Sequence, residues 1–150
     1  MEQKIQIGVV GLGYVGFPLA CLFARKYKVI GYDIKENRVK EINAGIDSTN
    51  EVSAEMLNTA LNNGLRCTNL LDDLKICNVY IVAIPTPVDG FNNPELSPLQ
   101  KASIEIGKVL KKEDYVIYES TVYPGVTEEI CAPILEEISG LKLNKDFYLG

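Results

Sequence analysis

Six residues, Gly11-Leu12-Gly13-Tyr14-Val15-Gly16, constrain this chain more than any others. They follow the apolar, β-branched run Ile5–Val10 and open an amphipathic stretch that begins at Val15, so they predict a strand, a tight turn and a helix in direct succession. Each glycine has its own task. Gly11 permits the turn, Gly13 leaves bare backbone for a ligand to approach, and Gly16 lets helix and strand pack closely. The helix N-terminus, with Tyr14 and Val15 in its opening turn, offers N–H groups and the positive end of a dipole to phosphate.

The spacing gains meaning from Asp33, which closes the second strand candidate, Val29–Tyr32, 22 residues beyond Gly11. A carboxylate there accepts hydrogen bonds from an adenosine ribose and repels a 2′-phosphate, which favours NAD over NADP. Arg38 pulls the other way, because an arginine in this region can accommodate that phosphate. We place Arg38 beside the adenosine and take Asp33 as decisive.

Elsewhere, short β-branched runs alternate with amphipathic stretches, the pattern of a Rossmann-type, doubly wound parallel sheet of about six strands with helices on both faces. The remaining strands are expected at Arg66–Thr68, Val79–Ile84, Tyr115–Glu119 and Phe147–Leu149, and the helices at Val15–Lys26, Lys35–Asn43, Ala54–Asn62, Pro98–Leu110 and Thr127–Ile138. Ser97-Pro98-Leu99-Gln100 predicts a capping box, with Ser97 as cap and Gln100 reaching back. The last helix should bury Val126, Ile130, Ile134 and Ile138 on one face and stop at Gly140.

The 150 residues, 47% of them hydrophobic, are the size of one domain with one core, and show no internal repeat or linker. The absence of any apolar run near the roughly 20 residues of a membrane span, and of a signal peptide at Met1, leads us to expect a cytoplasmic protein with no membrane association. A net charge of -5 without a basic block argues against nucleic acid. There is no histidine, and Cys21, Cys67, Cys77 and Cys131 are widely spaced, so no metal site is expected and the thiols read as small core hydrophobes in a reducing compartment. Glu128 and Glu129 fit a helix first turn, complementing its dipole, and Glu119 sits at a strand end.

Four of the seven prolines, Pro85, Pro87, Pro94 and Pro98, cluster after the fourth strand, where open α/β sheets carry ligand-facing loops. Thr86 lies at the end of that strand and Thr121 beyond the next, so both hydroxyls can face the crevice.

Over its whole length the chain resembles the UDP-glucose/GDP-mannose dehydrogenase family. The likeness rests on Gly11 to Gly16, on Ile84-Pro-Thr-Pro87, and on Tyr118-Glu-Ser-Thr-Val-Tyr-Pro-Gly125 followed by Thr127-Glu-Glu129. Asp47-Ser-Thr49 and Asp146-Phe-Tyr-Leu-Gly150 make it most similar to the branch acting on UDP-N-acetylhexosamines, including the Vi-polysaccharide UDP-N-acetylglucosamine 6-dehydrogenases.

The resemblance implies that Val15, Asp33, Arg38, Thr86 and Thr121 contact NAD, with Thr121 also positioning an active-site water. It implies oxidation of a sugar C6 alcohol to a carboxylate with reduction of two NAD, as a step of surface-polysaccharide precursor synthesis. The nucleophilic cysteine would lie in a later domain, making residues 1–150 the NAD-binding part of a longer chain that forms a homodimer.

Two other readings stay open from the residues themselves. One is a different two-domain NAD enzyme, such as a hydroxyacid dehydrogenase; the other is a free-standing module that senses NAD(H) without chemistry. Continuation of the natural reading frame past Gly150 into a glycine-flanked cysteine would separate the last from the rest.

Overall fold

The computed structural model describes residues 3–150. Six strands form one parallel sheet: β1 Gln6–Val10, β2 Lys28–Tyr32, β3 Arg66–Thr68, β4 Val79–Val82, β5 Tyr115–Tyr118 and β6 Tyr148–Leu149. Their order is β3-β2-β1-β4-β5-β6. The crevice opens at the carboxyl ends of β1 and β4, where the order reverses, and there an open α/β sheet receives its ligand. Register places Val10 beside Tyr32 on one side and Val82 on the other, so the loops after β1, β2 and β4 emerge together.

Alternation along the strands divides the core between two faces. Ile7 and Val9 of β1, Val29 of β2 and Ile81 of β4 face the layer built from α1 (Gly16–Phe23), α2 (Glu36–Asn43) and α3 (Ala54–Asn62). Val10, Tyr32, Tyr80, Val82 and Val116 face α4 (Ser97–Val109) and α5 (Ala132–Ser139). Fully buried side chains such as Phe17, Ile106 and Leu135 each contribute about 1.5–3 kcal/mol to holding a helix against the sheet. No helix among the described residues is long and apolar enough to cross a membrane.

The expected strands and helices all form, some with shorter ends. Strand β4 stops at Val82 rather than Ile84, yet its direction continues, because the Ala83 N–H donates to the Val10 carbonyl at 2.9 Å. A 3-10 segment over Leu71–Ile76, which was not expected, joins β3 to β4 and buries Leu74.

Two local expectations need correction. Ser97 does not cap α4: it is the first helical residue, and its hydroxyl donates to the Glu95 carboxylate at 2.7 Å. The buried stripe of the last helix is not Val126, Ile130, Ile134 and Ile138. A π turn over Thr127–Cys131 inserts extra backbone, so the buried positions become Val126, Cys131 and Leu135, and Ile138 is 40% exposed. Gly140 ends α5 with a left-handed φ of 74°, as the sequence predicts.

Candidate cofactor site

The glycine turn carries three distinct geometries. Gly11 has φ +96°, and a Cβ there would lie 2.7 Å from the Ala83 carbonyl oxygen. A Cβ on Gly16 would lie 1.7 Å from the Gly11 carbonyl oxygen, so α1 sits closer to the turn than any other residue would allow. Gly13 has open space where its Cβ would be, with no atom within 4 Å. The first internal bond of the helix runs from the Phe17 N–H to the Gly13 carbonyl at 3.1 Å; the N–H groups before it are those a helix cannot satisfy itself. Tyr14 and Val15 are exposed beside them.

Asp33 emerges from β2 with both carboxylate oxygens engaged. Oδ2 accepts the Leu12 N–H and Oδ1 accepts the Lys35 N–H, each at 2.9 Å. Arg38, on α2, donates from Nε to the Leu12 carbonyl at 2.8 Å, so Asp33 and Arg38 grip opposite ends of one residue in the turn. The rest of the guanidinium meets Glu41, Asp47 at 3.0 Å and Thr49 at 3.4 Å, and lies over the Phe17 ring at 4.8 Å.

Across the crevice, the Thr86 hydroxyl donates to the Thr121 carbonyl, and the Ser120 hydroxyl donates to the Ile84 carbonyl at 2.6 Å. The loops after β4 and β5 are therefore tied to each other. The Glu119 side chain is exposed on the same wall, while its N–H continues the sheet through a 2.8 Å bond to Val82.

These groups border one cleft of about 570 Å³, running from Asp33 and Arg38 past Gly13, Tyr14 and Val15 to Thr86 and Thr121. A second cavity of about 280 Å³ adjoins it at Asp33, with Ile34, Ile84, Pro98 and Ala102 in its lining. A long ligand with an anionic middle and two flat ends fits this shape: open backbone lies at the centre, an apolar slot at the Asp33 end, and paired threonines at the other.

All nine expected contact residues thus meet at or directly behind one crevice. Sequence reasoning missed Lys35, Ser48, Thr49, Ile34 and Ile84 as lining residues. Ile34 and Ile84 had a usable signal, each being an apolar residue just past a strand end. Of the clustered prolines, Pro85 and Pro98 border the cavities, whereas Pro87 and Pro94 shape a loop closed on itself, with the Glu95 N–H on the Pro87 carbonyl at 2.7 Å.

All four cysteines are buried and unpaired. Burial pushes the thiols up, Cys21 and Cys77 to about 11 and Cys67 to about 12, which makes them poor nucleophiles.

Residues 5–150 match the family model described as the UDP-glucose/GDP-mannose dehydrogenase family, NAD binding domain. The chain belongs to that family. It is 56% identical, over 99% of its length, to UDP-N-acetyl-D-glucosamine 6-dehydrogenase of Pseudomonas aeruginosa, and 51% identical, over 96%, to Protein CapL of Staphylococcus aureus. The solved structure of UDP-D-ManNAc dehydrogenase from Pyrococcus horikoshii superposes with a TM-score of 0.90 at 38% identity, covering 97% of this chain and 35% of that one. The chain spans 35% and 33% of the two curated relatives, about a third of each. As a member of the UDP-glucose/GDP-mannose dehydrogenase family it is an NAD-binding domain, and the hydroxyacid-dehydrogenase alternative is set aside.

Proposed function

We propose that the protein carrying this domain is a UDP-N-acetylhexosamine 6-dehydrogenase, with UDP-N-acetylglucosamine as its first candidate substrate. The observation that carries the reading is the 56% identity to a UDP-N-acetyl-D-glucosamine 6-dehydrogenase across a domain whose crevice is bordered by Gly13, Tyr14, Val15, Asp33, Arg38, Thr86 and Thr121.

In this reading Gly11 makes the turn. Gly13, Gly16 and the α1 N-terminus with Tyr14 and Val15 hold the pyrophosphate, and Asp33 takes the adenosine ribose with Arg38 behind it. The apolar slot between Ile34 and Ile84 receives the adenine. Thr86 and Thr121 flank the nicotinamide end, where the hydrogen bond from Thr86 to the Thr121 carbonyl leaves the Thr121 hydroxyl free to position a water. NAD, when bound, supplies the two-electron acceptor, and oxidation of an alcohol to a carboxylate consumes two of them.

The nucleophilic cysteine and the substrate contacts belong to the part of the protein matching the rest of its relatives; the buried, high-pKa thiols here support that division. Residues 1–150 are then the NAD-binding domain of a longer enzyme. Unpaired cysteines also support a cytoplasmic setting. We include a homodimeric full-length enzyme in the proposal, to be checked by light scattering.

The test is NADH formation by the natural full-length protein given UDP-N-acetylglucosamine, UDP-N-acetylgalactosamine, UDP-glucose and GDP-mannose in turn. Two NADH per UDP-N-acetylhexosamine are expected. NAD binding without turnover of any sugar would favour a sensing module.

A further inference from the structure

Asp33 and Arg38 have opposite preferences at the adenosine end of a crevice: the carboxylate repels a 2′-phosphate and a guanidinium attracts one. Both grip Leu12, so Arg38 lies within reach of whatever Asp33 binds. The arginine is nevertheless largely engaged, with four of its five N–H groups directed at protein acceptors. Its Nε is spent on the Leu12 carbonyl, one terminal nitrogen on Glu41 and Asp47, the other on Thr49, and its face on Phe17, leaving the side chain 10% exposed.

The groups that hold it are themselves held. The Asp47 side chain is only 3% exposed, and besides Arg38 it accepts the Thr49 hydroxyl at 2.6 Å and the N–H groups of Thr49, Glu51 and Val52 at 3.1, 2.9 and 3.0 Å. Glu41 accepts the Ser48 hydroxyl at 2.7 Å. Two carboxylates thus face one guanidinium, and Asp33 makes three at this corner against the two cations Arg38 and Lys35. Turning the guanidinium toward a 2′-phosphate would pull Nη1 away from Asp47, a carboxylate already fixed by four other hydrogen bonds.

We propose that Glu41, Asp47 and Thr49 are specificity-determining residues: by caging Arg38 they withhold it from a 2′-phosphate, and so reinforce the preference for NAD set by Asp33. The proposal rests on the reading that Asp33 takes the adenosine ribose. In it Arg38 braces the glycine turn and the 47–52 loop, and does not clamp phosphate.

The experiment measures NAD and NADP affinity by calorimetry in the natural full-length protein, with folding checked by circular dichroism. Asp33→Ser alone should weaken NAD and leave NADP weak. Adding Glu41→Gln and Asp47→Asn should raise NADP affinity about tenfold or more, the scale of one hydrogen bond to a charged group. Adding Arg38→Ala should erase that gain.

Should the Asp47→Asn protein fail to fold, Glu41→Gln with Thr49→Val in the Asp33→Ser background tests the same cage, and a smaller gain that depends on Arg38 is expected. Full NADP binding in Asp33→Ser alone, or no gain in a folded cage variant, would overturn the proposal. Absence of saturable NAD binding by the unsubstituted protein would overturn the underlying cofactor reading, and the cage with it.

Discussion

Gly16 packs against the carbonyl oxygen of Gly11 with no room for a side chain, since a Cβ would lie 1.7 Å away. Gly13, between them, faces open space. Substitutions at the two positions should therefore fail differently. Gly16→Ala must push α1 off the sheet and should cost about 3 kcal/mol, the upper end for overpacking, seen as a lower melting temperature. Gly13→Val should melt close to the unsubstituted protein yet lose NAD affinity tenfold or more. Normal NAD binding by folded Gly13→Val protein would remove the pyrophosphate assignment.

Asp33 accepts two backbone N–H groups and still borders the cleft. Replacing it with Ala should weaken NAD by tenfold or more, the scale of a hydrogen bond to a charged group, and narrow the gap to NADP. Calorimetric titration with both dinucleotides checks this, and unchanged affinity for both would contradict the ribose assignment.

Asp114, at the base of β5, is fully buried; Oδ2 accepts the Lys111 N–H at 2.8 Å and the ammonium at 3.2 Å, while Oδ1 has no partner among the described residues. Burial pushes this carboxyl up, against the opposing pull of the Lys111 N–H and ammonium. The folded state then holds its proton to higher pH than the unfolded state does. The stability this contributes is complete below the ordinary carboxylate range and is lost as pH rises through the raised value. Asp114→Asn should gain stability relative to the unsubstituted protein between pH 4 and pH 7 in thermal melts; a pH-independent difference would contradict it.

The buried thiols give a chemical prediction. Iodoacetamide at pH 8 should leave Cys21, Cys67, Cys77 and Cys131 unlabelled in the native protein, and label all four in denaturant, as read by peptide mass spectrometry. Rapid native labelling of any one would mark it as reactive and reopen its role.

What the sequence disclosed was local or periodic. The glycine turn, Asp33 and the strand alternation each follow from spacing along a few residues, and they suffice for a doubly wound parallel sheet and for the place of the crevice, though not for the order of the strands. The cage around Arg38 was hidden, because Asp47 reaches it from a loop nine residues on, through side-chain bonds that no periodicity encodes. The π turn was hidden for a related reason. Val126, Ile130, Ile134 and Ile138 keep perfect helical spacing, and only packing against α4 shows that the backbone gains a residue there. At Ser97 the acidic neighbour Glu95 captured the hydroxyl that a capping box would have used.

The most direct test of the cofactor assignment is a crystal structure of the protein grown with NAD. The adenosine ribose is expected on Asp33, the pyrophosphate over Gly13 at the start of α1, and the nicotinamide between Thr86 and Thr121. NAD bound elsewhere, or reversed in the crevice, would contradict it.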